Sequence, residues 1–126
     1  MDMLFRVELE EWEKKHKIEI HTTVDRSDNS WRGNVGVVTN LFSYVNLDPK
    51  TTCAMVCGPE IMMQYSIDEL KKMGVAKHNI YLSMERNMKC AIGFCGHCQY
   101  GSNFICKDGP VFSFSQVKRI FDVEEF

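Results

Sequence analysis

Apolar residues recur along the first 86 positions in two different periods, and their alternation outlines a small α/β domain. In residues 4–16 (LFRVELEEWEKKH), Leu4, Val7, Leu9 and Trp12 fall at roughly helical intervals among charged neighbours, which predicts an amphipathic surface helix. Residues 17–25 (KIEIHTTVD) switch to period two, with Ile18, Ile20 and Thr22 alternating with polar positions, the pattern of a strand. Residues 25–36 (DRSDNSWRGNVG) are crowded with Asp, Asn, Ser and Gly and predict a long loop. The stretch 37–44 is compatible with a short helix or with irregular chain.

Residues 51–57 (TTCAMVC) are almost continuously apolar, as expected of a strand covered on both faces in a parallel sheet. Gly58 and Pro59 end it. Pro59 suits a first helical position, where its missing N–H would go unbonded, and Glu60 would then sit at the positive end of the helix dipole. Ile61, Met62, Tyr65, Leu70 and Met73 predict the apolar stripe of that helix, and Gly74 its stop. Residues 79–84 (NIYLSM) read as a further strand. The order strand, loop, strand, helix, strand from residue 17 predicts an α/β domain with a parallel sheet.

From Lys89 to Phe112 the periodic pattern gives way to Cys, Gly and aromatic residues. Such a segment is expected to bury little apolar area and to owe its order to something covalent or metallic. Residues 115–126 predict a closing helix with Val117, Ile120 and Phe121 inward and Ser115 as its cap. Phe112, Phe114, Phe121 and Phe126 are expected to pack against the sheet. The expected division is thus 1–86 and 87–126.

At 126 residues and 44% hydrophobic, the chain supports one ordinary core or a small domain with a cofactor-bound appendage. Its net charge of −2 and pI of about 6.1 provide no basic field for nucleic acid or an anionic membrane surface. No apolar run reaches the length of a membrane span, and charges stand where a signal peptide would have its apolar stretch. A cytoplasmic location is the expectation. In a reducing compartment six cysteines are not a disulfide framework; each is a small buried residue, a metal ligand or a reactive thiol.

Spacing decides between those roles. Cys90, Cys95, Cys98 and Cys106, in KCAIGFCGHCQYGSNFIC, follow C-x4-C-x2-C-x7-C, which matches the opening of the plant-type ferredoxin arrangement with its more distant fourth ligand. A loop that wraps a compact anionic [2Fe–2S] cluster must turn its amides toward sulfur, and Gly93 and Gly96 stand where close approach and unusual φ are needed. The second reading is structural zinc bracing a non-catalytic adaptor, but zinc knuckles usually come as two C-x2-C pairs and only Cys95 and Cys98 form one. A Rieske centre needs two histidines; His97 is the only one after residue 78 and is expected to be a solvated loop residue. A thiol enzyme using Cys57 or the Cys95/Cys98 pair is disfavoured, because no strand ends directly before that pair. Cys53 is expected to pack in the core. Cys57 ends its strand where open α/β sheets bind ligands and is a candidate site residue.

The segments CGPEIMM (57–63) and MKCAIGFCGHC…CKDGPVF (88–112) resemble the C-terminal half of ferredoxin reductase-like electron-transfer subunits. Most similar are the gamma subunits of sulfhydrogenases and the corresponding subunit of anaerobic sulfite reductase, with the electron-transfer subunit of dihydroorotate dehydrogenase nearby. The likeness runs from about residue 4 to Phe112, and SMERNMKC with the short gap before Cys106 favours the hydrogenase and sulfite reductase branch. The resemblance implies a β-barrel holding FAD, an NAD(P)-binding domain and a C-terminal cluster module. It places Cys57 beside the nicotinamide, with Gly58 and Pro59 shaping the turn, and makes Cys90, Cys95, Cys98 and Cys106 the cluster ligands. Electrons would run from NAD(P)H to FAD, to the cluster, and out to a catalytic partner of hydrogenase, sulfite reductase or dihydroorotate dehydrogenase type. The fold it implies is a partial Rossmann-like parallel sheet followed by a small irregular [2Fe–2S] module. The flavin barrel and the glycine-rich phosphate turn have no counterpart in the 126 residues, so this chain alone is expected to bind FAD poorly and NAD(P)H weakly.

Overall fold

The structure is a computed structural model, and it describes residues 3–121. The chain divides into two compact units, Met1–Asn46 and Leu47–Phe126. No helix among the described residues is long and apolar enough to cross a membrane.

In the first unit the expected helix forms as α1 (Arg6–His16). It is braced by the exposed pairs Arg6–Glu10 at 3.4 Å and Lys15–Glu11 at 3.0 Å, each contributing a few tenths of a kcal/mol. None of its residues is buried, and Leu4, Val7 and Trp12 of the predicted stripe are exposed. The strand expected over residues 17–25 contracts to β1 (Thr23–Val24), because only β2 (Asn34–Val35) runs alongside it, parallel and with Thr23 opposite Asn34. Ile18 and Ile20 precede that ladder. The intervening loop is tied by the Trp31 indole N–H, which donates to the Asn34 carbonyl at 2.9 Å. The ambiguous stretch that follows is a 3₁₀ helix, Val38–Tyr44, with Leu41 buried.

The second unit is built on a three-stranded sheet in the order β3 (Ala54–Cys57), β4 (Ile80–Ser83), β7 (Val111–Ser113). β3 and β4 are parallel, as expected, with Cys57 opposite Ser83. β7 runs antiparallel to β4, with Ser83 opposite Val111, so the sheet is mixed. Between the first two strands lies α2 (Glu60–Lys72), for which Pro59 is the N-cap. Gly74, at φ +92°, stops it: its N–H donates to the Lys71 carbonyl and that of Val75 to the Leu70 carbonyl, both at 3.0 Å. Ile80, Leu82, Phe112, Met63, Ile67 and Leu70 form the core together with Phe114, Val117 and Phe121 of α4 (Phe114–Phe121).

Four expectations are corrected by these elements. β3 is not covered on both faces: it is an edge strand, its burial alternates, and Met55 is 85% exposed. Cys53, one residue ahead of β3, is exposed and does not pack in the core. The buried face of α2 is Met63, Ser66, Ile67 and Leu70, whereas Ile61 and Tyr65 face outward; the spacing 63, 66, 67, 70 is the true helical stripe. The cap of α4 is likewise shifted, because the helix begins at Phe114. The Gln116 side chain accepts the Ser113 N–H at 3.0 Å, the reaching-back half of a capping box centred on Ser113 rather than Ser115. The remainder of the predicted closing helix, including Phe126, lies outside the described residues.

Residues 89–110 are more structured than their composition suggests. They contain the hairpin β5 (Gln99–Tyr100) and β6 (Asn103–Phe104), followed by the short helix α3 (Ile105–Asp108). Tyr100 and Ile105 are buried, while Ile92 and Phe94 are exposed. The second half of the segment thus has an apolar interior of its own; the first half does not.

Candidate metal centre

The exposed half of that segment is organised around sulfur. The N–H groups of Phe94 and Cys95 donate to Cys90 Sγ at 3.2 and 3.3 Å, that of Gly93 to Cys106 Sγ at 3.2 Å, and that of Cys106 to Cys98 Sγ at 3.4 Å. Three consecutive amides, 93 to 95, therefore converge on two cysteine sulfurs and form a concavity suited to negative charge. Left-handed residues turn them inward: Gly93 and Gly96, both at φ +76°, as the glycine pattern suggested, and also Ala91 at φ +59°. A glycine search could not find Ala91, which carries a Cβ in a conformation costing about 1 kcal/mol. Ala91→Gly is accordingly expected to slow loss of a bound cluster to a chelator by a few-fold, measured as bleaching of visible absorption; faster bleaching than in the parent would contradict the strain.

The Cys90 thiol is in hydrogen-bond contact with that of Cys95, and the Cys106 thiol with that of Cys98. The Cys90 thiol is lowered to about 6, chiefly by the Cys95 N–H, then by the amides of Ile92 and Phe94, with the Cys95 thiol also contributing. The amides thus favour the thiolate, the form that binds metal. The Cys106 thiol is shifted upward, first by its hydrogen bond with the Cys98 thiol and then by desolvation, and it also senses the charge of Cys90. Cys98 is buried, Cys90 and Cys106 are half-buried and Cys95 is exposed; all six cysteines are free of disulfides. A pair of thiols on each side, with amides pointing at sulfur, suits two sulfide-bridged irons. Among the described residues no three His, Cys, Asp or Glu side chains are gathered around one point as ligands of a single ion; it is the spacing, with a single C-x2-C pair, that favours a cluster over structural zinc. His97 is exposed, in keeping with a solvated loop residue.

A cavity of about 580 Å³ opens at the carboxyl ends of β3 and β4, lined by Gly58, Pro59, Glu60 and Met63 on one side and by residues 84–87 on the other. Gly58 turns at φ +152°. Cys57 is exposed at the end of β3 and is not one of the lining residues. Arg86, on the cavity wall, faces the ring of Tyr100. The Tyr100 phenol is pushed up to about 12, first by burial and then by the Glu60 carboxylate, with the Arg86 guanidinium opposing; its hydroxyl is the one buried side-chain N or O atom without a hydrogen-bond partner among the described residues. Sequence reasoning missed Glu60, Arg86 and Tyr100 as a group, because positions 26 and 14 apart carry no spacing signal.

Known proteins share sequence with both parts of the chain. Residues 1–68 match the family described as oxidoreductase NAD-binding domain, and residues 85–118 match the iron-sulfur cluster binding domain of dihydroorotate dehydrogenase B. The chain is 45% identical to sulfhydrogenase 2 subunit gamma of Pyrococcus furiosus over 83 residues, 63% of this chain and 29% of the relative. It is 37% identical to sulfhydrogenase 1 subunit gamma of the same organism over 123 residues, 92% of this chain and 42% of the relative. It is 35% identical to a probable dihydroorotate dehydrogenase B electron transfer subunit of Methanocaldococcus jannaschii over 114 residues, 89% of this chain and 41% of the relative. Among solved structures, a chain of an NADH-dependent reduced ferredoxin-NADP oxidoreductase, determined for insight into flavin-based electron bifurcation, is similar with a TM-score of 0.51 at 27% identity, over 80% of this chain and 37% of that one. The chain thus spans less than half the length of these relatives. By its match over residues 1–68 and by the cluster-binding match that follows, the chain belongs to the NAD-binding oxidoreductases that carry a dihydroorotate dehydrogenase B-type iron-sulfur domain.

Proposed function

We propose that the chain is the electron-carrying end of a flavin- and NAD(P)-linked oxidoreductase, with one [2Fe–2S] cluster held by Cys90 and Cys95 on one side and by Cys98 and Cys106 on the other. The observation that carries this reading is the set of amide hydrogen bonds, from residues 93, 94, 95 and 106, aimed at the sulfurs of Cys90, Cys98 and Cys106. Such bonds stabilise thiolates and are one of the levers by which a protein tunes a cluster. When bound, the cluster supplies one-electron chemistry that the side chains alone cannot perform. Cys57, Gly58 and Pro59 form the nicotinamide side of the site, a reading supported by their position at the carboxyl end of a strand in an open α/β sheet and by the cavity that Gly58 and Pro59 line.

The division into a partial nucleotide-binding region, 1–86, and a cluster module, 87–126, is supported by the family matches ending at 68 and beginning at 85. The FAD that the resemblance implies is not assigned to these residues, which cover 42% of the length of sulfhydrogenase 1 subunit gamma. The partner is a catalytic redox subunit, of hydrogenase or dihydroorotate dehydrogenase type by the names of the relatives; the sulfite reductase type rests on the resemblance of the cluster segment alone. Anaerobically purified protein is expected to be brown, with two irons and two sulfides per chain and an electron paramagnetic resonance signal after reduction. A colourless preparation containing one zinc would overturn the assignment.

A further inference from the structure

Arg86 stands where three parts of the second unit meet. Its guanidinium carbon lies 5.0 Å from the centroid of the Tyr100 ring, and its Nη2 lies 3.9 Å from Glu60 Oε2. Glu60 opens α2, Tyr100 lies in β5 two residues beyond Cys98, and Arg86 itself precedes Cys90 by four residues. Tyr100 is only 2% exposed, so its ring face is a fixed, largely dry platform, and a cation held over such a face is bound more firmly than at a wet surface. The Arg86 side chain is itself three-quarters covered, at 26% exposure, against 43% for Glu60. At 3.9 Å the ion pair with Glu60 contributes little by itself; the aromatic face is what fixes the guanidinium.

We propose that Arg86 is a positioning residue for the cluster: it fastens the Cys98-bearing hairpin to the wall of the cavity at the ends of β3 and β4, and holds a positive charge over Tyr100, two residues from Cys98. The proposal rests on the cluster reading of the four cysteines. Reduction adds one negative charge to the site, and a fixed cation nearby favours the reduced form. Glu60 offsets part of that charge. The two side chains therefore act on the cluster with opposite signs, a pattern that a purely structural clamp would not produce.

The test is a redox titration of the full chain with its cluster, followed by electron paramagnetic resonance. For Arg86→Met the ratio of reduced to oxidised cluster at a given ambient potential falls by about tenfold, which for one electron is a midpoint about 59 mV lower. Glu60→Gln moves the midpoint upward. Tyr100→Phe keeps the ring face and the parental midpoint, and Arg86→Lys, with the charge but without the planar stack, falls between the parent and Arg86→Met. An unmoved midpoint in fully loaded Arg86→Met overturns the proposal, as does a Tyr100→Phe shift as large as that of Arg86→Met. Should Arg86→Met fail to hold its cluster, Glu60→Gln decides: a midpoint at or below that of the parent overturns the proposal. Absence of iron and sulfide from the parent chain is a different outcome, because it removes the cluster assignment as well.

Discussion

Cys98→Ser reduces the iron content of the purified chain by at least about tenfold, because a first ligand is lost where even an outer hydrogen-bonding partner of a metal site contributes that much. Cys98 is the ligand to choose. It is 2% exposed, its sulfur accepts the Cys106 N–H at 3.4 Å, and its thiol is the one that most perturbs Cys106. Serine keeps nearly the same volume but offers a hydroxyl, which gives up its proton far less readily than a thiol and is a poorer ligand for iron. Cys53→Ser is the control, since Cys53 is exposed ahead of β3 and its conversion should leave iron and colour unchanged. Iron and sulfide analysis of both proteins, made side by side, checks the result. Equal iron in the two would mean that Cys98 does not hold the cluster.

Leu82→Ala is expected to destabilise the chain by about 2–5 kcal/mol, a large share of the roughly 5–15 kcal/mol by which a domain of this size is folded. Leu82 is fully buried in β4, the central strand of the three, with Val56 opposite it on β3 and Phe112 on β7. No neighbour can close the space without pulling two strands together. β4 also leads into residues 84–87, which line the cavity, so the same change should release the cluster at a lower denaturant concentration. Chemical denaturation followed by far-ultraviolet circular dichroism, with visible absorption recorded on the same samples, measures both. A loss of less than about 1 kcal/mol would show that the site collapses more easily than this packing allows.

Much of the site was legible because its chemistry is local. The ligand spacing, Gly93 and Gly96 all fall within 17 residues, and the left-handed φ at both glycines follows from what a loop around sulfur requires. Ala91 adopts the same conformation without the residue type that announces it. The strand, turn and helix from β3 to α2 were also readable, because Gly58-Pro59 and Gly74 punctuate them. Which helix face is buried was not: Ile61 and Tyr65 are as apolar as Met63 and Ile67, and only the position of the sheet chooses between them. The β3 run reads as a doubly covered strand because composition cannot reveal an edge position, which depends on what lies beside the strand. The three residues of β7, Val111 to Ser113, are too few to show a period. The contact of Arg86 with Tyr100 arises only once the hairpin folds back.

Ser83 and Val111 are direct partners across β4 and β7. Everything between them, the whole cysteine-bearing stretch, is therefore an excursion that departs from and returns to one place on the sheet, its two ends about 5 Å apart. Because the entropy of closing such a loop grows only logarithmically with its length, residues can be added to or removed from the part of the excursion away from the sulfurs with little effect on the sheet beneath. The stem acts as a socket: the strand pair fixes where the cluster segment leaves the sheet and where it returns, whatever its length in between.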